Sequence, residues 1–465
     1  MNELTMQLDL KDKKHLYEQI YEYIKREIVE GRLAQGERLP STRALSQHLQ
    51  VSRSTVTLSY DQLLSEGYIE SRPYTGFFVS NMADLYQIPT LPDKGKVSEK
   101  VQVKKYDYIF SPTAVDMAEF PYATWKKISK ETLIDERSEM FALGSSKGDY
   151  NLRVTIGQYL HASRGVNCDP DQIIVGAGND YLLMLLQLLF PLKAIIGFEN
   201  PTYKKAYRIF TSLGFTVKPL SMDEYGMSVE ALEKSEANLA YVMPSHQYPT
   251  GTIMPIGRRM ELLKWAGQKE NRYIIEDDYD SEFRYKGKPI PSLQGADKEG
   301  NVIYLGTFSK SIAPAIRVSY MVLPKKLLKE YEERISFVSS TVSRIDQTIL
   351  DEFIRSGAFE RYLNKMRKIY KGKHDVLMNG LKPFRRKFYI TGEHAGLHVL
   401  LQAKFQVDEE LLCEQAEAVG VKVYPLSDHK VAPITDYQPT VILGYAGLTE
   451  KEIIQGLQCL EKAWL

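Results

Sequence analysis

The sequence predicts two domains of different class: a small α+β unit over residues 1–80 and a large α/β unit over residues 106–465, joined by a linker at 81–105. Three observations carry this. Residues 15–66 hold three short helical patterns, and two strand patterns follow them. Residues 81–105 then lose all periodicity and fill with proline and lysine. From residue 106 onward, short apolar runs alternate with helix-length segments. A chain of 465 residues is also longer than one ordinary domain and can bury a large core.

Charge adds a constraint. The chain has 60 Lys and Arg against 59 Asp and Glu, a net charge of +1. Residues 1–80 alone have ten basic and eleven acidic side chains. A nucleic-acid surface must therefore come from placement of charge rather than excess. Cys168, Cys413 and Cys459 are too scattered for a disulfide framework or a metal site, and no metal is expected. The polar N-terminus predicts no signal peptide. The most apolar run, Tyr181 to Leu192, is too short to span a bilayer, so the expected location is cytoplasmic.

Leu16, Ile20, Ile24 and Ile28 recur every four residues and predict a first amphipathic helix ended by Gly31. Ser41 is placed to cap a second helix that turns Leu45 and Leu49 inward. Val51 fills the turn, and Ser52 caps a third helix running to about Glu66, with Val56, Tyr60, Leu63 and Leu64 toward the core. Gly67 stops it. Tyr68–Glu70 and Gly76–Val79 read as two strands joined by Arg72-Pro73-Tyr74-Thr75. This order is that of a winged helix-turn-helix. The first turn of its third helix, Ser52-Arg53-Ser54-Thr55, would enter a major groove, where Arg53 can bond guanine bidentately and Ser54 and Thr55 can reach bases or phosphates. Arg43 in the preceding helix, and Thr75 and Gly76 at the wing tip, are further DNA-contact candidates. The runs Leu39–Ser46, Val51–Val56 and Leu64–Tyr68 resemble the GntR-type family of bacterial regulators over about residues 10–80.

In the large unit, Ile173–Val175, Ala194–Phe198, Leu239–Met243, Tyr273–Ile275 and Val302–Leu305 predict a mostly parallel sheet. Polar sequences follow several of these runs directly, as ligand sites at the carboxyl ends of strands do. Lys310 follows Gly306-Thr307-Phe308-Ser309, with Arg317 seven residues on. A partly desolvated lysine beside positive charge can lose its proton and attack an aldehyde. Thr307, Ser309 and Arg317 could bind a phosphate dianion. Asp277 and Tyr279, after the strand Tyr273–Glu276, would offer a carboxylate and a phenol on one face. Gly176-Ala177-Gly178-Asn179-Asp180 opens an apolar helix whose first amides suit a phosphate. Tyr203 offers a ring to stack, and Ser245–Gly251 is a turn with polar groups near the same sheet end. A reactive lysine, a carboxylate, a phenol and an anion cradle are what pyridoxal phosphate requires. After about residue 330 a long helix and a small C-terminal α+β subdomain, about 330–465, are expected.

The order of these motifs resembles PLP fold type I, the class I aminotransferase fold, over residues 106–465. Lys147-Gly148 ahead of Leu152-Arg153, Ser163–Val166 and His394-Ala395-Gly396-Leu397-His398 add to it. The Glu276–Tyr285 block and Ser245–Gly251 resemble the MocR/GabR subfamily in particular. The resemblance implies Lys310 as the Schiff-base lysine, Asp277 on the pyridine nitrogen, Tyr279 on the phenolic oxygen and Tyr203 stacked on the ring. It implies Gly178, Asn179, Thr307, Ser309 and Arg317 around the phosphate. Lys205, His246 and Tyr248 are the candidate effector contacts. Ile442 stands where amino-acid-binding relatives carry an arginine, and Lys205 where GabR-like proteins carry another. A bidentate carboxylate clamp is therefore not expected, and the effector need not be a simple α-amino acid. Leu143 stands in place of a tyrosine that reaches the partner subunit's phosphate in relatives.

The expected function is a PLP-dependent transcriptional regulator, binding operator DNA as a head-to-tail homodimer and sensing an amino compound by aldimine exchange at Lys310. At most residual transaminase activity is expected. The rival readings are an active aminotransferase with an appended DNA-binding domain, a regulator of vitamin B6 synthesis that senses PLP itself, and a plain repressor with a degenerate pocket.

Overall fold

A computed structural model describes residues 6, 8–9, 14–81, 104–134, 138–285, 290–435 and 437–465. The chain separates into two compact units, Met1–Gln102 and Val103–Leu465. Most of the expected linker, 82–103, lies outside the described residues. Of its basic side chains, Lys104 and Lys105 are described, and the first is paired. The Lys104 Nζ lies 3.0 Å from Glu417 of the large unit.

In the small unit, helices Leu16–Val29, Thr42–Leu49 and Arg53–Ser65 precede the antiparallel strands Ile69–Arg72 and Gly76–Val79. Ile20, Ile24 and Ile28 of the first helix are buried, as their spacing requires, against Leu45, Val56, Tyr60 and Leu63. The Tyr60 hydroxyl, buried with its ring, donates to the Pro40 carbonyl at 2.9 Å, so this phenol is not stranded in the core. Ser41 and Ser52 cap the second and third helices, accepting from the Ala44 and Thr55 amides at 3.1 Å each. Leu49 and Leu64 are only half-buried, at the edge of this core.

The large unit is built on an eight-stranded sheet. From one edge its strands are Ile173–Gly176, Ser319–Val322, Val302–Thr307, Tyr273–Asp278, Leu239–Val242, Ile195–Asn200, Thr216–Asp223 and Gly226–Met227. The four pairings from Val302–Thr307 to Thr216–Asp223 are parallel. Ser319–Val322 runs antiparallel to both its neighbours, and Gly226–Met227 to its one. All five predicted runs lie in this sheet. The strand Tyr273–Asp278 extends further than its apolar core suggested, so Asp277 sits within it.

Sequence reading missed Ser319–Val322, which is buried on both faces and shows no alternation. It also missed Thr216–Asp223, whose Pro219 argues against a central strand. That strand borders only the two-residue Gly226–Met227 on its outer side, so the proline is tolerated.

Helices Arg344–Arg355 and Ala358–Gly380 follow, separated by Gly357 in the left-handed conformation. A four-stranded antiparallel sheet then orders Phe388–Thr391, His398–Ala403, Thr440–Gly444 and Tyr424–Pro425. This subdomain is not one continuous piece of chain. Tyr108–Ile109 pairs with Val421–Lys422, and Phe110 is buried in its core. Among the described residues no helix is long and apolar enough to cross a membrane.

Candidate functional site

Parallel strands bring their carboxyl ends to one edge of the sheet, and a cavity of about 210 Å³ opens there. Asp277, Tyr279, Thr307, Ser309, Lys310, Arg317, Asn179, Tyr203, Lys205 and Tyr248 all line it. Pro112, Thr113, Asp180 and Met243 complete the wall. Residues far apart in sequence therefore converge as their spacing after successive strands implied.

Lys310 lies on a single helical turn, Phe308–Ser311, started by Thr307, whose hydroxyl accepts from the Ser309 amide at 3.1 Å. The Lys310 amine donates to the Pro112 carbonyl at 3.1 Å. Burial pushes its pKa down to about 8, against the opposing pull of Asp280. A neutral fraction larger than an exposed lysine keeps near physiological pH makes this lysine a nucleophile.

Asp277 is buried and accepts from the Asn179 amide at 3.2 Å and from the Tyr241 hydroxyl. Burial raises its pKa to about 7, although these hydrogen bonds oppose the shift. A cationic partner in the cavity would restore its charge. Tyr241 was not singled out from the sequence. The available signal was one phenol inside the buried run Leu239–Val242.

The anion end is built around Gly178, which starts the helix Asn179–Leu189 at φ +88°. A side chain there would begin 2.2 Å from the Arg317 guanidinium. Glycine suits this conformation, and a side chain there would displace the Arg317 guanidinium. Arg317 itself is left-handed at φ 52°, and its Nη2 lies 3.1 Å from Asp180. Lys205 shares that carboxylate at 2.5 Å. The Ser309 hydroxyl and the Asn179 carbonyl oxygen are buried without a partner. Orphaned groups of this kind call for a ligand. The helix start, Arg317, Thr307 and Ser309 suit a phosphate, Asp277 a basic ring nitrogen and Lys310 an aldehyde. Pyridoxal phosphate fits this donor set.

The candidate effector contacts separate. Lys205 and Tyr248 line the cavity. Tyr248 packs edge-on against Tyr203, Tyr279 and His429. His246 is not in the cavity wall and lies behind Tyr279, whose hydroxyl is 2.8 Å from its Nδ1. Ile442 is fully buried with Leu400 and Leu426, and Leu143 is exposed.

The other acids of the Glu276–Tyr285 block have their own partners. Glu276 accepts from the Leu293 and Gln294 amides at 2.8 and 2.9 Å. Asp278 holds the buried Arg164 at 2.8 Å and the Tyr304 hydroxyl at 2.6 Å. Glu282 accepts from Tyr159 at 3.0 Å.

In the small unit, Arg43, Arg53 and Ser54 are exposed, and both guanidinium groups lack a hydrogen bond or ion pair among the described residues. Ser52 is occupied as the helix cap and lies 2.7 Å from both the Ser54 and Thr55 hydroxyls. At the wing, Thr75 donates to the Arg72 carbonyl at 3.1 Å, and Gly76 adopts φ +114° beside the Arg38 guanidinium. Tyr74, which sequence reading passed over, is fully exposed at the tip at φ 60°.

Residues 16–79 match the family of bacterial regulatory proteins known as gntR, and residues 115–459 match aminotransferase class I and II. The HTH-type transcriptional regulator YdeL of Bacillus subtilis is 40% identical over 97% of this chain and 96% of its own. The probable rhizopine catabolism regulatory protein MocR of Rhizobium meliloti is 32% identical over 97% and 94%. The pyridoxine biosynthesis transcriptional regulator PdxR of Corynebacterium glutamicum is 31% identical over 88% of each. Among solved structures, the multiple substrate aminotransferase of Thermococcus profundus superposes with a TM-score of 0.70 at 26% identity, over 78% of this chain and 92% of that one. An aminotransferase class I/II fold implies a pyridoxal phosphate cofactor, and a GntR helix-turn-helix implies DNA binding. With both halves matched and full-length regulators of the same two-part build among its relatives, the chain belongs to the MocR/GabR subfamily of GntR-type transcriptional regulators.

Proposed function

We propose that this protein is a cytoplasmic, homodimeric transcriptional regulator that holds pyridoxal phosphate through Lys310 and changes its operator binding when a small primary amine enters the cavity. The observation that carries this reading is Lys310, an amine whose pKa burial lowers to about 8, in a cavity shared with Asp277 and Arg317. Pyridoxal phosphate supplies an electrophilic aldehyde that condenses reversibly with primary amines. Lys310 is the chain's own amine for that aldehyde, and an effector competes with it. Asp277 holds a proton on the ring nitrogen, and Tyr279 donates to the ring oxygen. Tyr203 covers one face of the ring. The amides at Gly178 and Asn179, with Thr307, Ser309 and Arg317, bind the phosphate.

Arg43, Arg53, Ser54, Thr55 and the wing residues Thr75 and Gly76 contact DNA, and Ser52 holds the first turn that presents them. An effector moves the population from mostly one DNA-binding state to mostly the other only if it prefers one state by ~5 kcal/mol.

The likeness to PdxR favours a second reading, in which pyridoxal phosphate is itself the signal. One experiment separates the two. Operator affinity and visible cofactor absorbance are measured with pyridoxal phosphate, with and without a panel of primary amines, for wild type and Lys310→Ala. An amine that alters both in wild type and neither in Lys310→Ala supports the first reading. A full response to pyridoxal phosphate alone supports the second. An equal amine response in Lys310→Ala contradicts the role given to Lys310.

A further inference from the structure

Two motifs, Ser245–Gly251 and His394–His398, reach the cavity wall only through Tyr248. They meet behind Tyr279. His246 and Asp280 are both buried there, and the Asp280 carboxylate lies 3.0 and 3.1 Å from His246 Nδ1. The Tyr279 hydroxyl is 2.8 Å from that same nitrogen. The His246 ring is closely packed, and its Nε2 is buried without a partner among the described residues. A side chain on Gly396 would begin 1.9 Å from the His246 ring, and one on Gly251 3.5 Å from its Nε2. His398 covers the ring at a centroid distance of 5.2 Å.

We infer that His246 and Asp280 are positioning residues that leave the Tyr279 phenol free to donate its proton into the cavity. Nδ1 can hold one hydrogen, and a buried carboxylate needs a donor more than a phenol oxygen does. With Nδ1–H given to Asp280, the phenol cannot donate to Nδ1. The satisfied carboxylate also competes less for the phenol's proton. The other direction open to that proton is the cavity that Tyr279 lines.

Other charged and titratable groups face the pair. Lys310 and Asp277 feel Asp280 from the cavity side, and Tyr285 and Tyr445 from the other. Arg284 lines a small cavity with His246 and Asp280. His398 donates to the Pro249 carbonyl at 2.9 Å, and burial pushes its pKa down to about 3, so it stays neutral. Burial, then the charge of Asp280 and a hydrogen bond to it, raise the Tyr279 phenol well above its ordinary range, so it keeps its proton at neutral pH.

The inference rests on the cofactor reading above. A phenol that donates to the cofactor's ring oxygen stabilises its negative charge and lowers the pH at which the visible absorbance titrates. Full-length protein loaded with pyridoxal phosphate is titrated by absorbance. His246→Leu, which leaves Asp280 to capture the phenol's proton, raises the midpoint by about one pH unit. His246→Asn, which keeps an N–H near the Nδ1 position, restores most of the wild-type midpoint. Asp280→Asn, which lets the ring proton shift to Nε2 so that Nδ1 accepts from the phenol, also raises it. In a Tyr279→Phe background His246→Leu adds nothing. An unmoved midpoint in His246→Leu and Asp280→Asn, with a normal wild-type band, overturns the inference alone. So does an undiminished His246→Leu shift in the Tyr279→Phe background. A wild type without any visible band removes the cofactor reading and this inference together.

Discussion

The two functional regions are built on opposite plans. In the small unit the DNA-facing groups stand apart: Arg43 and Arg53 are exposed and their guanidinium groups unpaired among the described residues. In the large unit the cofactor groups hold one another. Asp277 is fixed by Tyr241 and Asn179, Arg317 by Asp180, and His246 behind Tyr279 by Asp280. The difference has a physical origin. A groove reader must carry its charge in water until DNA arrives, whereas a cofactor site must be organised before its ligand enters. Loss of one reader should leave the fold intact, whereas loss of one member of the buried web strands its partners.

The largest contrast is expected at Arg164. Arg164→Leu leaves Asp278 buried without its cation, and a loss of roughly 3–5 kcal/mol is expected in denaturant unfolding of the large unit. A loss below about 1 kcal/mol would mean that the web is looser than its geometry. Arg53→Ala should do the reverse. Base discrimination at one operator position falls by roughly 1–3 kcal/mol, with stability unchanged within about 0.5 kcal/mol. Competition binding with operator variants and thermal unfolding check the two halves of that statement.

The Lys310 amine sharpens the comparison through pH. Its pKa is depressed to about 8, so the reactive neutral form is scarce below that value and dominant above it. The rate of pyridoxal phosphate capture by cofactor-free protein should rise about tenfold per pH unit below pH 8 and level off above it. A plateau reached only near pH 10 would place this lysine in water. The smallest effect is expected at Ser52→Ala, about 1 kcal/mol of stability from the lost helix cap. DNA affinity should fall with it, because the same hydroxyl organises Ser54 and Thr55.

Legibility in the sequence follows the same division. The small unit could be read almost in full because its apolar positions recur at helical spacing, Ser41 and Ser52 cap the second and third helices, and Gly31 and Gly67 follow the first and third. In the large sheet, apolar runs revealed five strands, but nothing periodic marked Ser319–Val322, which is buried on both faces. The cavity wall was legible where a residue follows a strand, as Lys310 and Asp277 do. Its supporting layer was not. Tyr241 reads as one more apolar strand residue, and His246 was expected in the cavity because sequence cannot say which side of Tyr279 it occupies. Arg164 and Asp278 lie far apart in the chain, and only the folded sheet shows that they pair.

The central claim is that Lys310 is the covalent anchor of pyridoxal phosphate, and it can be tested without knowing the effector or the operator. Full-length protein saturated with the cofactor is reduced with borohydride, digested and mapped by mass spectrometry. A pyridoxyl adduct confined to Lys310 is the expected result. An adduct on Lys205 or another lysine, or none at all, would contradict it.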